Sequence, residues 1–170
     1  MMKFLKMQLA NLLTLTNMVF GLIAITEAIK GDFNSSALFI CAAVVFDILD
    51  GWIARKLKIT SDFGKYFDSN SDLISFGLAP GLLIYLSVLK QFELIGICVS
   101  FLYVIGGAFR LARYNMNVFN GKFVGLPITI AGLIIALSVF VISILPSMAY
   151  LFIVVILFYL MVSKHSFKKY

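Results

Sequence analysis

The segment from Asp47 to Asp72 reads DILDGWIARKLKITSDFGKYFDSNSD and contains most of the acidic residues of a largely apolar chain. At about 100° per residue, its carboxylates fall on two helix faces, one on each side of a short basic and polar stretch. A turn of the chain in that stretch would bring the faces together. The residues on the first face are Asp47, Asp50, Gly51 and Ala54, and those on the second are Gly64, Asp68 and Asp72.

Four carboxylates that converge in or near a membrane repel one another and lose hydration, so they need compensating charge. Oxygen ligands without His or Cys favour Mg²⁺, Mn²⁺ or Ca²⁺ over zinc. Four carboxylates suffice for two ions, and a two-metal site binds phosphate oxygens. Gly51 and Ala54 would leave space for a bulky ligand beside the ions, and Arg55 could pair with a phosphate. The alternative, an acidic cluster stabilised by nearby lysines, explains neither the two glycines nor the position of Asp47 in an apolar helix.

The composition indicates a membrane protein with several spans. The chain has 170 residues, of which 62% are hydrophobic and 13% charged, and its mean hydropathy is +1.04. These values lie outside the range of soluble globular proteins. Because one span takes about 20 residues, we predict an all-α membrane protein of six transmembrane helices. We expect residues 1–170 to form a single integral membrane catalytic domain, with spans near 9–29, 36–57, 63–90, 92–112, 123–145 and 146–162.

The distribution of positive charge predicts an orientation in the membrane. The net charge is +6, and twelve of the 14 lysines and arginines fall on one side of the predicted spans. Lys30 and Lys90 lie on the other side, each with acidic neighbours. By the positive-inside rule, both termini are expected to be cytoplasmic. We therefore predict a multi-pass protein of the cell membrane with its acidic site facing the cytoplasm, and no binding to nucleic acid.

Polar residues in other spans could face the same site. Asn11 and Thr14 lie in the cytoplasmic half of the first span, where they could contact a ligand or form hydrogen bonds between helices. Ser61 could cap the helix that carries Asp68. Arg110 and Arg113, at the cytoplasmic end of the fourth span, could be membrane-interface anchors. Two arginines spaced by three residues also suit the capture of a carboxylate or phosphate.

The segment that carries the carboxylates resembles the signature of the CDP-alcohol phosphatidyltransferase family, D-x2-D-G-x2-A-R-x8-G-x3-D-x3-D. All eight fixed positions match. The later segments RLARYN and FVGLP are similar to the phosphatidylserine synthase branch of that family, although the continuation GLPITIAG departs from the bacterial pattern. The matching positions are Asp47, Asp50, Gly51, Ala54, Arg55, Gly64, Asp68 and Asp72.

The resemblance implies a role for each group of residues. The four motif aspartates would hold two divalent ions, Mg²⁺ or Mn²⁺, and Asp72 would also be the general base. Arg110 and Arg113 would bind the acceptor. Similar proteins are commonly homodimers of six-helix subunits. The residues expected to contact the CDP-lipid are Asn11, Thr14, Gly51, Ala54, Arg55, Ser61 and Gly64.

The predicted reaction is the transfer of a phosphatidyl group from CDP-diacylglycerol, or from CDP-archaeol, to the hydroxyl of L-serine with release of CMP. Within the family, glycerol 3-phosphate and inositol phosphate are the alternative acceptors. From another class, a divalent cation transporter also carries acids in its spans. An ion path, however, needs neither space for a nucleotide base nor an arginine for phosphate.

Overall fold

The computed structural model describes the backbone of residues 2–57, 61–116, 123–163 and 166–167. It describes the side chains of residues 8, 11–53, 56, 61–116 and 125–163. Within these ranges the regular secondary structure is helical apart from one pair of two-residue strands. The helices are α1 (Met2–Lys30), α2 (Phe33–Leu57), α3 (Asp62–Asp72), α4 (Ala79–Ser87), α5 (Glu93–Met116), α6 (Ile128–Val139) and α7 (Ser147–Val162).

The third predicted span is one continuous helical stretch that consists of α3, a π-helical turn and α4. A π-helical turn, Leu73–Leu78, joins α3 to α4, and a 3₁₀ turn, Leu89–Phe92, leads on to α5. The π-helical turn begins directly after Asp72 and ends before the Pro80–Gly81 pair. With α3 to α4 counted as one stretch, the described residues form six helical bodies, as predicted.

Three helices in the described part of the chain are long and apolar enough to cross a bilayer. They contain the stretches Asn11–Lys30, Phe33–Ile53 and Leu89–Met116, while α6 and α7 are shorter apolar helices. The stretch Asp62–Ser87 has a polar first half and is not among the three. These apolar helices are those of a multi-pass membrane protein.

The fifth predicted span is shorter than expected. We predicted a helix over 123–145, but α6 covers only Ile128–Val139. Phe123–Val124 instead forms strand β1, which pairs antiparallel with strand β2, Ser166–Phe167. Gly125 follows β1 with φ +82°, a value that ends regular structure. Pro127 then precedes the helix, with the extended backbone expected of a residue at that boundary.

The π-helical turn lies at the centre of the helix packing. Phe76 is fully buried in it, and the hydroxyl of Tyr103 on α5 donates to the Phe76 carbonyl at 2.7 Å. Pro80 has no N–H to offer the carbonyl four residues before it, so the tyrosine hydroxyl supplies a donor. On another side, a Cβ at Gly132 of α6 would lie 3.1 Å from the Phe76 backbone. These close contacts fix the stretch that carries Asp68 and Asp72.

Candidate active site

Three carboxylates from two helices meet on one side of the helix bundle. Asp47 and Asp50 come from α2 and Asp68 comes from α3, and one ligand oxygen of each lies within 4.8 Å of the others. Asp50 is buried, while Asp47 and Asp68 are half-buried. Asp72 lies one helical turn after Asp68 and lines the same cleft. The two helix faces expected from the spacing therefore point towards each other.

Backbone carbonyls of helix α1 hold the stretch that carries Asp68 and Asp72 in place. The hydroxyl of Ser71 donates to the Thr14 carbonyl at 3.0 Å, and that of Ser75 donates to the Asn17 carbonyl at 3.0 Å. A Cβ at Gly21 would collide with Ser75, so the helices approach closely there. Small residues at helix contacts and serine hydrogen bonds to a neighbouring helix are typical of membrane helix packing.

Three neutral side chains donate hydrogen bonds to the carboxylates. Thr14 Oγ1 donates to Asp50 Oδ2 at 2.8 Å, and Thr129 Oγ1 donates to Asp47 Oδ2 at 3.2 Å. Asn17 Nδ2 donates to Asp72 Oδ1 at a longer 3.4 Å. Such donors fix the orientation of a ligating carboxylate without neutralising its charge.

The carboxylates open onto a cleft of about 230 Å³. Arg110 is the cation that lines it. In the part of the chain that the structure describes, Arg110 makes no salt bridge, and its Nε is buried without a hydrogen-bond partner. A half-buried guanidinium with a buried, unsatisfied N–H favours an anionic ligand. The residues that line the cleft are Asp47, Asp68, Ser69, Asp72, Arg110, Leu111, Tyr114, Pro127 and Thr129.

A family model described as CDP-alcohol phosphatidyltransferase matches residues 7–163. The chain belongs to the CDP-alcohol phosphatidyltransferase family. Its motif aspartates are the residues that line the cleft and form the carboxylate cluster. Enzymes of this family generally depend on metal, and an all-carboxylate cluster of this kind can hold a metal ion.

Curated relatives agree with the family assignment. Archaetidylserine synthase of Methanothermobacter thermautotrophicus is 44% identical over 131 residues, which are 75% of this chain and 56% of the relative. CDP-diacylglycerol–serine O-phosphatidyltransferase of Helicobacter pylori is 39% identical over 132 residues, 76% of this chain and 56% of the relative. The enzyme of the same name from Bacillus subtilis is 36% identical over 130 residues, 76% of this chain and 73% of the relative. This chain thus spans about half the length of the first two.

The residues of the carboxylate cluster fit a divalent metal ion. The donor set is entirely oxygen, as hard cations require. Asp68 Oδ1 is buried and has no hydrogen-bond partner among the described residues. Three carboxylates whose oxygens lie within 4.8 Å of one another also repel strongly unless a cation lies between them. Asp47, Asp50 and Asp68 would hold the ion, and Asp72 stands beside them.

The predicted CDP-lipid contacts are brought together only in part. A Cβ at Gly64 would lie 3.0 Å from Ser61 Oγ and 3.5 Å from Asn11 Oδ1, so these three residues are neighbours. Ser61 caps α3 as expected, because its Oγ accepts a hydrogen bond from the Gly64 N–H at 3.0 Å. Gly51 directly follows Asp50 and is half-buried. The side chains of Ala54 and Arg55 lie outside the described residues.

Two predicted contacts take other roles in the structure. Thr14 is buried and directs its hydroxyl at Asp50, which corresponds to the inter-helix hydrogen bond that the sequence left open. Arg113 does not line the cleft with Arg110. Its guanidinium donates to the carbonyls of Met161, Val162 and Ser163 at the end of α7. Of the two arginines predicted to bind the acceptor, only Arg110 lines the cleft, and acceptor binding by either stays a prediction.

Thr129 and Asn17 were not among the site residues predicted from the sequence. Thr129 lies two residues after the proline of the GLP segment, at the start of α6, and Asn17 is fully buried beside Asp72. The spacing of Asn17 at three residues from Thr14 was visible in the sequence. No local pattern indicated Thr129, because its partner Asp47 is 82 residues away.

Proposed function

We propose that this protein transfers the lipid phosphate group of a CDP-diacylglycerol-type lipid, or of CDP-archaeol, to the hydroxyl of L-serine and releases CMP. The relatives that carry serine transferase or archaetidylserine synthase names, at 36–44% identity, support this choice. The observation that carries it is the cleft, in which acidic side chains face the half-buried Arg110, whose Nε has no hydrogen-bond partner among the described residues. The described helices would form one integral membrane catalytic unit.

Different groups of residues would bind the metal ions, orient their ligands and contact the CDP-lipid. Asp47, Asp50, Asp68 and Asp72 would hold two divalent ions, Mg²⁺ or Mn²⁺, while Thr14 and Thr129 orient two of the carboxylates. Bound there, the ions would neutralise the pyrophosphate of the CDP-lipid and the charge that develops on departing CMP. Asn11, Ser61 and Gly64 would border the cytidine end, together with Gly51, Ala54 and Arg55.

The reaction is one displacement at phosphorus. The serine hydroxyl oxygen forms a bond to the lipid-bearing phosphorus, and the bond from that phosphorus to the CMP oxygen breaks. Asp72 accepts the hydroxyl proton, and CMP leaves with the bonding electron pair. Asn17 holds the Asp72 carboxylate by its hydrogen bond, so the base is directed before the acceptor arrives.

Arg110 would bind the carboxylate of serine. Its Nε is buried without a partner among the described residues, so an anion in the cleft would remove the cost of burying this group. The planar guanidinium matches the two oxygens of a carboxylate. The Asp72 carboxylate on the same cleft suits the serine ammonium group.

Orientation and assembly are part of the proposal. The aspartate cluster would face the cytoplasm, with both termini on that side of the cell membrane, because twelve of 14 basic residues cluster there. The subunits would form a homodimer in the membrane.

The acceptor is tested by direct competition. Purified protein in detergent, given CDP-lipid, Mg²⁺ or Mn²⁺, and equal concentrations of serine, glycerol 3-phosphate and inositol phosphate, is expected to form the serine product and CMP. Product identification by mass spectrometry decides the outcome. Preferential formation of the phosphoglycerol or phosphoinositol product would contradict serine as the acceptor and leave the family assignment intact. Absence of any metal-dependent CMP release would instead favour a cation transporter.

Replacement of Arg110 by alanine is expected to raise the serine KM with little effect on the KM for CDP-lipid. Loss of a charged bidentate contact costs about 1.5 to 3 kcal/mol, which corresponds to a KM increase of roughly 10- to 100-fold. Arg110→Lys should recover part of this, because it restores the charge without the fork. Lys90→Ala, which removes an exposed positive charge just before α5, is the control and should leave both KM values unchanged. A normal serine KM in Arg110→Ala would exclude Arg110 from the acceptor site.

A further inference from the structure

The end of α7 is attached to α5 by one arginine. Arg113 donates from Nη1 to the Val162 carbonyl at 2.9 Å, and from Nη2 to the carbonyls of Met161 and Ser163 at 3.2 and 3.3 Å. The last carbonyls of a helix lack partners within the helix and carry its negative dipole end. A guanidinium is therefore well suited to this position. We call this set of contacts, together with Gly125, the α7-end contact.

Gly125 completes the α7-end contact from the other side. It is buried with φ +82°, and a Cβ there would lie 2.5 Å from the Met161 carbonyl oxygen and 3.1 Å from Arg113 Nη2. The next residue, Leu126, donates its N–H to the Leu160 carbonyl at 3.0 Å. The backbone at Gly125 therefore lies against the last turn of α7, in the same place where Arg113 binds.

Only three residues separate Gly125 from Thr129. Pro127, between them, has a fixed φ and lines the cleft. Ile128 is fully buried, and its Cδ1 lies close to the position that a Cβ at Gly107 of α5 would occupy. So short a segment transmits a shift at Gly125 to Thr129, whose hydroxyl donates to Asp47.

We propose that Arg113 is a positioning residue for the metal site. Through the α7-end contact it sets the position of Gly125, and thereby the wall formed by Pro127 and Thr129 and the orientation of the Asp47 carboxylate. The assignment rests on the proposed function only in treating Asp47 as a metal ligand. This role differs from the acceptor-binding role predicted for Arg113 from the sequence.

The test measures Mn²⁺ affinity by electron paramagnetic resonance in the absence of substrates, so that it does not depend on which acceptor the protein uses. Loss of a side chain that orients a metal ligand typically weakens metal binding 10- to 100-fold. Thr129→Val, Arg113→Gln and Gly125→Ala should each weaken Mn²⁺ binding about tenfold by this principle. Arg113→Lys, which keeps the charge, should recover part of the affinity.

Gly31→Ala is the matched control. Gly31 has nearly the same backbone angle, φ +87°, but a Cβ there meets no atom within 4 Å. It lies in the turn after α1, about 25 Å along the helix from Thr14 at 1.5 Å per residue. This variant carries the same backbone strain and should leave Mn²⁺ affinity unchanged.

The combined variant Arg113→Gln with Thr129→Val tests whether Arg113 affects Mn²⁺ binding through Thr129. If Arg113 acts through Thr129, the double variant should bind Mn²⁺ no more weakly than Thr129→Val alone. Full additivity of the two effects would overturn the proposal. So would unchanged Mn²⁺ affinity in Gly125→Ala, or a raised acceptor KM in Arg113→Gln with normal metal binding, which would return Arg113 to the acceptor site. Failure of the serine reaction in wild-type protein leaves this metal-binding measurement fully readable.

Discussion

Asp68→Asn is expected to abolish turnover. Asp68 is the carboxylate that α3 contributes to the cluster with Asp47 and Asp50, and its Oδ1 is buried without a partner among the described residues. The asparagine amide keeps the shape but removes the charge that binds the metal. Metal ions supply several kcal/mol of transition-state stabilisation. Since about 1.4 kcal/mol is tenfold in rate, we expect kcat to fall by about 10³-fold or more.

Asp62→Asn is the control for Asp68→Asn. Asp62 lies on the same helix, is exposed, and is not one of the motif aspartates. Its variant should keep kcat within about twofold of wild type, as surface substitutions usually do.

Treatment of wild-type protein with EDTA should reproduce the Asp68→Asn loss of turnover, and added Mg²⁺ or Mn²⁺ should reverse it. Full activity in EDTA would contradict the metal site itself.

Asp72→Asn is expected to lower kcat by about 10² to 10⁴-fold, which is the usual contribution of a general base. The amide retains a carbonyl oxygen that can accept the hydrogen bond from Asn17 Nδ2, so the local packing should survive. The rate is measured with saturating serine and CDP-lipid, and thermal unfolding confirms that the variant is folded.

Binding of CDP-lipid separates the two roles given to Asp72. If Asp72 acts only as the base, metal-dependent binding of CDP-lipid to Asp72→Asn should equal that of wild type. If Asp72 also ligates a metal ion, this binding should weaken and the rate loss should exceed the range above. An unchanged turnover rate would remove Asp72 from the mechanism.

From the sequence, helix periodicity predicted those features of the candidate site that lie within a single helix. The spacing of Asp47 with Asp50, and of Asp68 with Asp72, places each pair on one face wherever a helix forms. The cap formed by Ser61 is equally local, because its partner Gly64 is three residues away. The length of α6 was not predictable in this way, since an apolar run does not show where Gly125 and Pro127 delay the helix start.

The sequence by itself determined the family, the helical membrane character and the aspartates of the site, because local spacing and apolar runs are properties of the chain alone. Only the tertiary structure decided which side chains meet across helices. Arg110 and Arg113 are about 60° apart around α5 at 100° per residue. Residues separated by this angle count as one helix face in a sequence pattern. In the folded protein, two long side chains at this angle can contact different neighbouring helices. Thus Arg110 lines the cleft while Arg113 binds the end of α7, and Thr129 reaches Asp47 because α6 packs against α2.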